Sequence, residues 1–305
     1  MKKTEYIWLN GKMVKWDEAK VHVLTHALHY GTAVFEGIRA YSTKRGTDLF
    51  RVRDHYKRLI DSGKIYLMKI DYTVDELIDI THKLIKANNI KECYIRPIFY
   101  YGYGTMGLNP SANPIEGSIA VWEWGTYLGE EGLKKGIRCK ISSWKRIDGS
   151  SIPPLAKCSA NYINSVLAKT EAINCGYEEA IMLNPNGTVS EGPGENIFMI
   201  KDNKIYTPPA SDCALMGITC QSAQQIAKDL GYSVSTRSIT RDELFLADEL
   251  FFTGTAAEVT PICEIDGRII GEGSRGPVTE KIQSKFFEIV RGEDPKYDHW
   301  LDFVH

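Results

Sequence analysis

A mixed α/β protein of the α+β kind, with two domains, is the fold class that the sequence predicts. Three observations lead to it. Short apolar runs flanked by Asn-Gly or Asp-Gly pairs read as strands joined by tight turns. Other stretches repeat apolar residues near helical spacing and begin on capping residues. The chain of 305 residues exceeds one average domain and can bury a sizeable core.

Composition narrows the partners. Charged residues make up 25% and the net charge is −2, so no nucleic-acid surface is expected. The seven cysteines form no C-x-x-C pair, and their irregular spacing suits reduced thiols in the cytoplasm. No signal-peptide run and no span of about 18 apolar residues is present, so no membrane association is expected. Asn186-Gly187-Thr188 matches a glycosylation sequon but reads more simply as a turn.

The elements follow in order. Asn10-Gly11 between Tyr6–Leu9 and Met13–Trp16 predicts a hairpin. His22, His26 and His29 would share a face if helical, but no acidic or cysteine partner accompanies them; they are read as packing groups, and no metal is expected. Tyr30 to Tyr41, rich in glycine and aromatics, reads as one strand with close backbone approaches. Asp54 to Lys64 reads as a helix carrying Arg58, by itself a solvated charge. Thr73-Val74-Asp75-Glu76 is a capping box for a helix ending at Asn88-Asn89. Cys93 to Tyr101 reads as a buried strand, in which Arg96 needs an anionic partner, whether a structural acid or a ligand. Gly102-x-Gly104-x-x-Gly107 matches a dinucleotide fingerprint, but Pro110 and Pro114 break any helix that could receive a pyrophosphate, and the match is rejected.

Ser118 to Glu123 reads as a further strand, Trp124 to Gly129 as a connection, and Gly136 to Trp144 as a strand. The domains are expected at 1–123 and 134–305, joined by a linker at 124–133. Beyond Gly176 come strand pairs with turns at Pro185-Asn186-Gly187 and Asp202-Asn203. Gly217-Ile218-Thr219 opens a helix that Gly231 ends; its start is either an anion site or an ordinary threonine cap. Leu250 to Thr253 is a strand running into the turn Gly254-Thr255-Ala256-Ala257-Glu258. Asp266-Gly267 makes another hairpin, and Gly276-Pro277 begins the last long helix, ending near Gly292.

Two stretches carry the chemistry. Pro153 and Pro154 hold the chain extended before Lys157, and Ile163, Val166, Leu167 and Ile173 recur at helical spacing after it. Lys157 is therefore expected at a strand-to-helix junction. There its amine could form a Schiff base with a carbonyl; the plain alternative is a solvated lysine. In Glu191-Gly192-Pro193-Gly194-Glu195-Asn196, the glycines allow close backbone approach, and a carboxylate could meet a protonated heterocycle nitrogen; the alternative is an ordinary loop glutamate.

Together these segments resemble the lysine and glutamate motifs of the class IV, fold-type IV pyridoxal-phosphate aminotransferases, most closely the branched-chain amino acid aminotransferases. The resemblance extends from Tyr6 to about Gly292. It implies a small N-terminal α/β domain and a larger C-terminal domain with a β-barrel-like core. It implies that Lys157 is the catalytic residue and carries pyridoxal 5'-phosphate. Arg58, Tyr162, Glu191, Gly217, Ile218, Thr219, Gly254 and Thr255 would complete the cofactor site. Tyr30, Phe35, Gly37, Tyr94, Arg96, Met106, Leu108, Trp124 and Tyr127, with Thr255, Ala256 and Ala257, would bind substrate. The implied substrates are leucine, isoleucine and valine with 2-oxoglutarate and glutamate. The implied assembly is a homo-oligomer, at least a dimer and up to a hexamer. D-amino-acid aminotransferases and aminodeoxychorismate lyases share the lysine and glutamate; Arg96 and the Gly254–Glu258 turn favour the branched-chain reading. No role is assigned to Cys158, Glu195 or Asn196.

Overall fold

A computed structural model describes residues 2–125 and 128–304; Tyr127 lies outside the described residues. The chain forms two compact units. The first runs to Trp124 and includes Ala156–Ala160 and the chain from Ile289 on. The second holds Gly125–Leu155 and Asn161–Glu288.

The first unit is built on β1 (Tyr6–Leu9), β2 (Lys12–Lys15), β3 (Ala33–Phe35), β4 (Ile38–Thr43), β5 (Gly46–Phe50), β6 (Cys93–Tyr101) and β7 (Ile115–Trp122). The hairpin between β1 and β2 turns at Asn10 and Gly11, both at positive φ, which is why this dipeptide marks it. Among the described residues the sheet has eight strands, ordered from a C-terminal strand Leu301–Phe303 through β5, β4, β6, β7 and β1 to β2, with β3 also paired to β6. Helices α1 (His26–Tyr30), α2 (Val52–Ile65) and α3 (Val74–Ala87) belong to this unit, and α3 starts on the expected capping box of Thr73 and Glu76. Tyr56 and Leu59 of α2 and Leu77, Leu84 and Ile85 of α3 bury into one core with Ile38, Leu49, Ile95, Phe99 and Val121 of the strands.

One expectation for this unit needs correction. Tyr30 to Tyr41 is not one strand: Tyr30 ends α1, and the ladder to β6 lapses at Glu36 and Gly37. Across from them stands Pro97, which has no N–H to donate and only accepts, from Glu36 N–H at 2.9 Å. The three histidines do not share a helix, since α1 begins at His26. His26 is buried and bonds Thr32 Oγ1 and the Gly107 carbonyl, while His29 Nε2 bonds the Val23 carbonyl.

The second unit holds α4 (Glu130–Lys135), β8 (Ile137–Ile141), α5 (Tyr162–Asn174), β9 (Glu179–Leu183), β10 (Val189–Glu191), β11 (Asn196–Lys201), β12 (Lys204–Thr207), α6 (Ile218–Asp229), β13 (Ser233–Thr236), α7 (Arg241–Phe245), β14 (Glu249–Gly254), β15 (Glu258–Ile265), β16 (Arg268–Ile269) and α8 (Pro277–Val290). Its sheet follows an open path β10-β9-β8-β15-β14-β11-β12-β13, with β16 on β15. The barrel-like core expected here takes the form of a curled half-barrel. Ile197, Met199, Leu250, Phe252 and Ile262 fill it. The β8 strand stops at Ile141, short of the expected Trp144.

The α5 helix departs from its pattern. Asn164, Ser165, Ala168 and Ala172 form its buried face. The apolar residues that mark it as a helix, Ile163, Val166, Leu167 and Ile173, stand exposed at 62%, 54%, 37% and 56%. Small residues let α5 lie close on β9, which leaves the large side chains outward.

Candidate active site

Lys157 belongs to the first unit. The segment before it turns at Pro154-Leu155 instead of running extended, so the expected strand-to-helix junction is a turn-to-helix one. Two successive residues without an N–H cannot join a ladder, which accounts for the difference. The backbone at Lys157 is pinned on both sides. Its N–H donates to Ser62 Oγ of α2 at 3.0 Å, and its carbonyl accepts from Phe35 N–H at 3.0 Å. The next residue, Cys158, makes a β-bridge with Val34. The amine lies 5.1 Å from the Phe35 ring centre.

The same ring faces a second cation, the Arg96 guanidinium, at 4.9 Å. Arg96 also lies over Tyr94 and Trp122 at 5.3 and 6.0 Å, and its Nη2 is 3.4 Å from the Tyr94 hydroxyl. Aromatic faces surround Arg96 where the sequence called for an anionic partner, a structural acid or a ligand, and Arg96 Nε has no hydrogen-bond partner among the described residues. Gly37 is required here: a Cβ on it would overlap the Tyr94 hydroxyl. Trp124 meets Tyr94 edge-on at 4.5 Å.

Arg58 is anchored in a way that its sequence context did not disclose. Its Nε and Nη2 donate to the two oxygens of buried Glu36 at 2.6 and 2.9 Å. One turn earlier on α2, His55 Nδ1 bonds Glu36 Oε2 at 2.8 Å. Burial works against a charge on Glu36, but Arg58 and His55 outweigh it and hold the carboxyl well below the usual range. Burial lowers His55 in turn, so its Nδ1–H is the donor to a carboxylate. The guanidinium is thus held in one orientation by a two-point carboxylate contact. Farther along the unit, the Tyr30 hydroxyl donates to the Met106 carbonyl at 2.9 Å, and Leu108 on that loop is 84% exposed.

The second unit holds Glu191, at the end of β10. Leu215 N–H and Asn196 Nδ2 donate to its Oε2 at 3.1 and 3.2 Å, and Arg146 Nε lies 2.8 Å from its Oε1. Gly217 packs so tightly on Asn196 that a Cβ would overlap Asn196 Oδ1. Gly217 is also the N-cap of α6, whose start carries no side-chain cap and whose Thr219 is buried; leading N–H groups at such a terminus suit an anion. Thr255, Ala256 and Ala257 form the tight turn expected between β14 and β15, with Gly254 opposite Glu258. Tyr162 opens α5, half-buried. Glu195 is buried in the same turn as Glu191. Burial first, then the Glu179 and Glu191 charges, push its carboxyl up to about 8.

Arg146, Glu36 and His55 are the site residues that sequence reasoning missed. Glu36 sits between Phe35 and Gly37, and His55 one turn before Arg58, so predicted site residues flank both, but only the fold supplies their partners. Taken separately, the Lys157 amine of the first unit suits a carbonyl, and in the second unit the fixed Glu191 carboxylate suits a protonated ring nitrogen and the uncapped α6 start suits an anion.

Comparison with known proteins agrees. Residues 33–265 match the family Amino-transferase class IV. Over 305 residues the chain is 47% identical to the branched-chain-amino-acid aminotransferase of Escherichia coli K12, covering 100% of this chain and 99% of the relative. A crystal structure of the Escherichia coli branched-chain amino acid aminotransferase matches with a TM-score of 0.98 at 47% identity, covering 99% of this chain and 100% of that one. The branched-chain amino acid aminotransferase from Thermobaculum terrenum, solved in its PLP form, matches with a TM-score of 0.93 at 35% identity, covering 100% of both chains.

Proposed function

Because the chain belongs to the class IV aminotransferase family, we propose that it transfers amino groups between branched-chain L-amino acids and 2-oxoglutarate with pyridoxal 5'-phosphate. The observation that carries this reading is Lys157, pinned by its backbone, with its amine and the Arg96 guanidinium both over the Phe35 ring, in a chain alike to such enzymes over its whole length.

When bound, the cofactor supplies an electron sink for the carbanion left by α-proton removal. Lys157 holds the cofactor and moves the proton at the substrate α-carbon. Glu191 accepts a hydrogen bond from the ring nitrogen and keeps it protonated. Tyr162 bonds the phenolic oxygen. Arg58, Gly217, Ile218, Thr219, Gly254 and Thr255 hold the phosphate. Arg96, Tyr94 and the Thr255-Ala256-Ala257 turn receive the substrate carboxylate. Phe35, Gly37, Tyr30, Met106, Leu108, Trp124 and Tyr127 enclose the side chain, with part of the Met106–Leu108 loop reaching the site of a neighbouring subunit.

The division into a small domain over 1–123, a linker at 124–133 and a large domain over 134–305 belongs to the same proposal. So does a homo-oligomer, at least a dimer and up to a hexamer, supported by the exposed apolar stripe of α5. No helix among the described residues is long and apolar enough to cross a membrane. We place the enzyme in the cytoplasm, which suits its seven free cysteines.

Donor specificity with 2-oxoglutarate across L- and D-amino acids tests the reading. Leucine, isoleucine and valine should lead, and alanine should be poor, because each buried methylene favours binding by about 0.8 kcal/mol. A preference for D-alanine would instead identify a D-amino-acid aminotransferase. Absence of transamination with lyase activity on aminodeoxychorismate would identify the third relative.

A further inference from the structure

We infer that Arg146 is a positioning residue for Glu191, holding it as an ionised carboxylate of fixed direction before any cofactor arrives. The inference rests on the proposed role of Glu191 and extends it to a residue that does not itself meet the cofactor.

Arg146 is built into the scaffold at three points. Its backbone N–H donates to the Leu183 carbonyl of β9 at 2.8 Å. Its Nη1 donates to Ser165 Oγ on the buried face of α5 at 3.1 Å. Its Nε stands 2.8 Å from Glu191 Oε1, and the two side chains are 7% and 6% exposed. A cation this buried is costly unless paired, so the pair stands or falls together. The other oxygen, Oε2, takes Leu215 N–H and Asn196 Nδ2, and Asn196 is fixed in turn by donating to the Leu215 carbonyl at 2.8 Å. With one oxygen on a guanidinium and the other on two neutral donors, the carboxyl group cannot rotate without breaking its contacts.

Glu195 provides the internal comparison. It is buried in the same turn, and its nearest supporting cation, Lys169, is engaged by Glu179 at 2.7 Å. Its carboxyl rises to about 8. That rise shows which way burial drives a carboxyl in this turn that has no guanidinium of its own. Charged and titratable groups that face Glu191 include Arg146 from the segment after β8, Glu195 from its own turn and the Cys220 thiol from α6. The last two are raised, Glu195 to about 8 and the thiol to about 11, partly by the Glu191 charge, so both stay neutral where Glu191 ionises. Arg146, at 2.8 Å, favours the ionised form, and an opposite charge at this range lowers a carboxyl by about 1–3 pH units.

Infrared difference spectroscopy of the full chain without cofactor tests the inference. Wild type minus E191Q should show ionised-carboxylate bands at pH 7. R146Q minus R146Q/E191Q should show a protonated carbonyl band whose midpoint lies about 1–3 pH units above wild type. R146K, which keeps the charge and loses the fork, should fall between them. A purely structural arginine would change melting temperature and leave the Glu191 midpoint in place. The inference is overturned if wild-type Glu191 is protonated at pH 7, or if folded R146Q titrates as wild type does. Should R146Q not fold, R146K decides, and an unmoved midpoint there overturns the inference. The spectra need no cofactor and no turnover, so their outcome is independent of the donor-specificity assay that tests the aminotransferase reading.

Discussion

At the scale of single residues, Lys157, Glu191 and Glu195 lead to three separate expectations. Lys157→Ala should abolish turnover and leave noncovalent binding of pyridoxamine 5'-phosphate, because Arg58 and the α6 start do not depend on the amine; multiple-turnover transamination by this variant would contradict its role. Glu191→Gln should keep the cofactor and slow α-proton removal. A lost charge-assisted hydrogen bond costs on the order of 1.5–3 kcal/mol, which is roughly tenfold to a hundredfold in a single-turnover rate. Glu195 governs stability rather than turnover. Its folded carboxyl is raised from 4.5 to about 8, so the folded state keeps a proton that the unfolded chain releases. That contribution is complete below pH 4.5 and is lost as pH rises through about 8. Glu195→Gln should therefore melt with wild type near pH 5 and above it near pH 8, and a difference in melting temperature that does not grow with pH would exclude the effect.

At the scale of elements, the sequence was readable wherever one local interaction decides the structure. Asn10-Gly11 and Asp266-Gly267 turn where they should, Thr73 and Glu76 cap α3, and Cys93–Tyr101 is a strand to the residue. It was not readable where a partner distant in sequence decides. The break at Glu36-Gly37 depends on Pro97, and the contact between Arg146 and Glu191 joins residues far apart in the chain. The C-terminal tail gave no signal, yet Leu301–Phe303 pairs with β5. The start of α6 combines both kinds of cause. Gly217 was legible as a helix opening, but its fit against Asn196 was not. Gly217→Ala should therefore do more than alter a cap. The added methyl must push Asn196 off the Glu191 carboxylate, at an overpacking cost of typically about 1–3 kcal/mol, and should weaken binding of pyridoxamine 5'-phosphate. Wild-type affinity and melting temperature together would show that the turn adapts without cost.

At the scale of the whole molecule, the apolar surface requires a cover. Ile163, Val166 and Ile173 on α5 each leave more than half of their surface exposed. Burying the exposed part of one such side chain favours association by about 1 kcal/mol, roughly half the value for full burial, and contiguous exposed apolar patches mark interaction sites. Helical spacing forecast the stripe but not its direction, because the buried side of α5 is made of residues that hydropathy scores as neutral or polar. A second copy of the chain is the occupant that the proposed function supplies. Val166→Asp should then lower the assembly's mass in sedimentation velocity without reducing the helical signal, since a surface aspartate on α5 disturbs no core contact. If the Met106–Leu108 loop completes a neighbour's site, the dissociated form should also bind branched-chain substrates more weakly, with activity that rises with protein concentration. A Val166→Asp variant of unchanged mass at every concentration would free α5 from this role, and the loop carrying Leu108 would have to find its partner through another face.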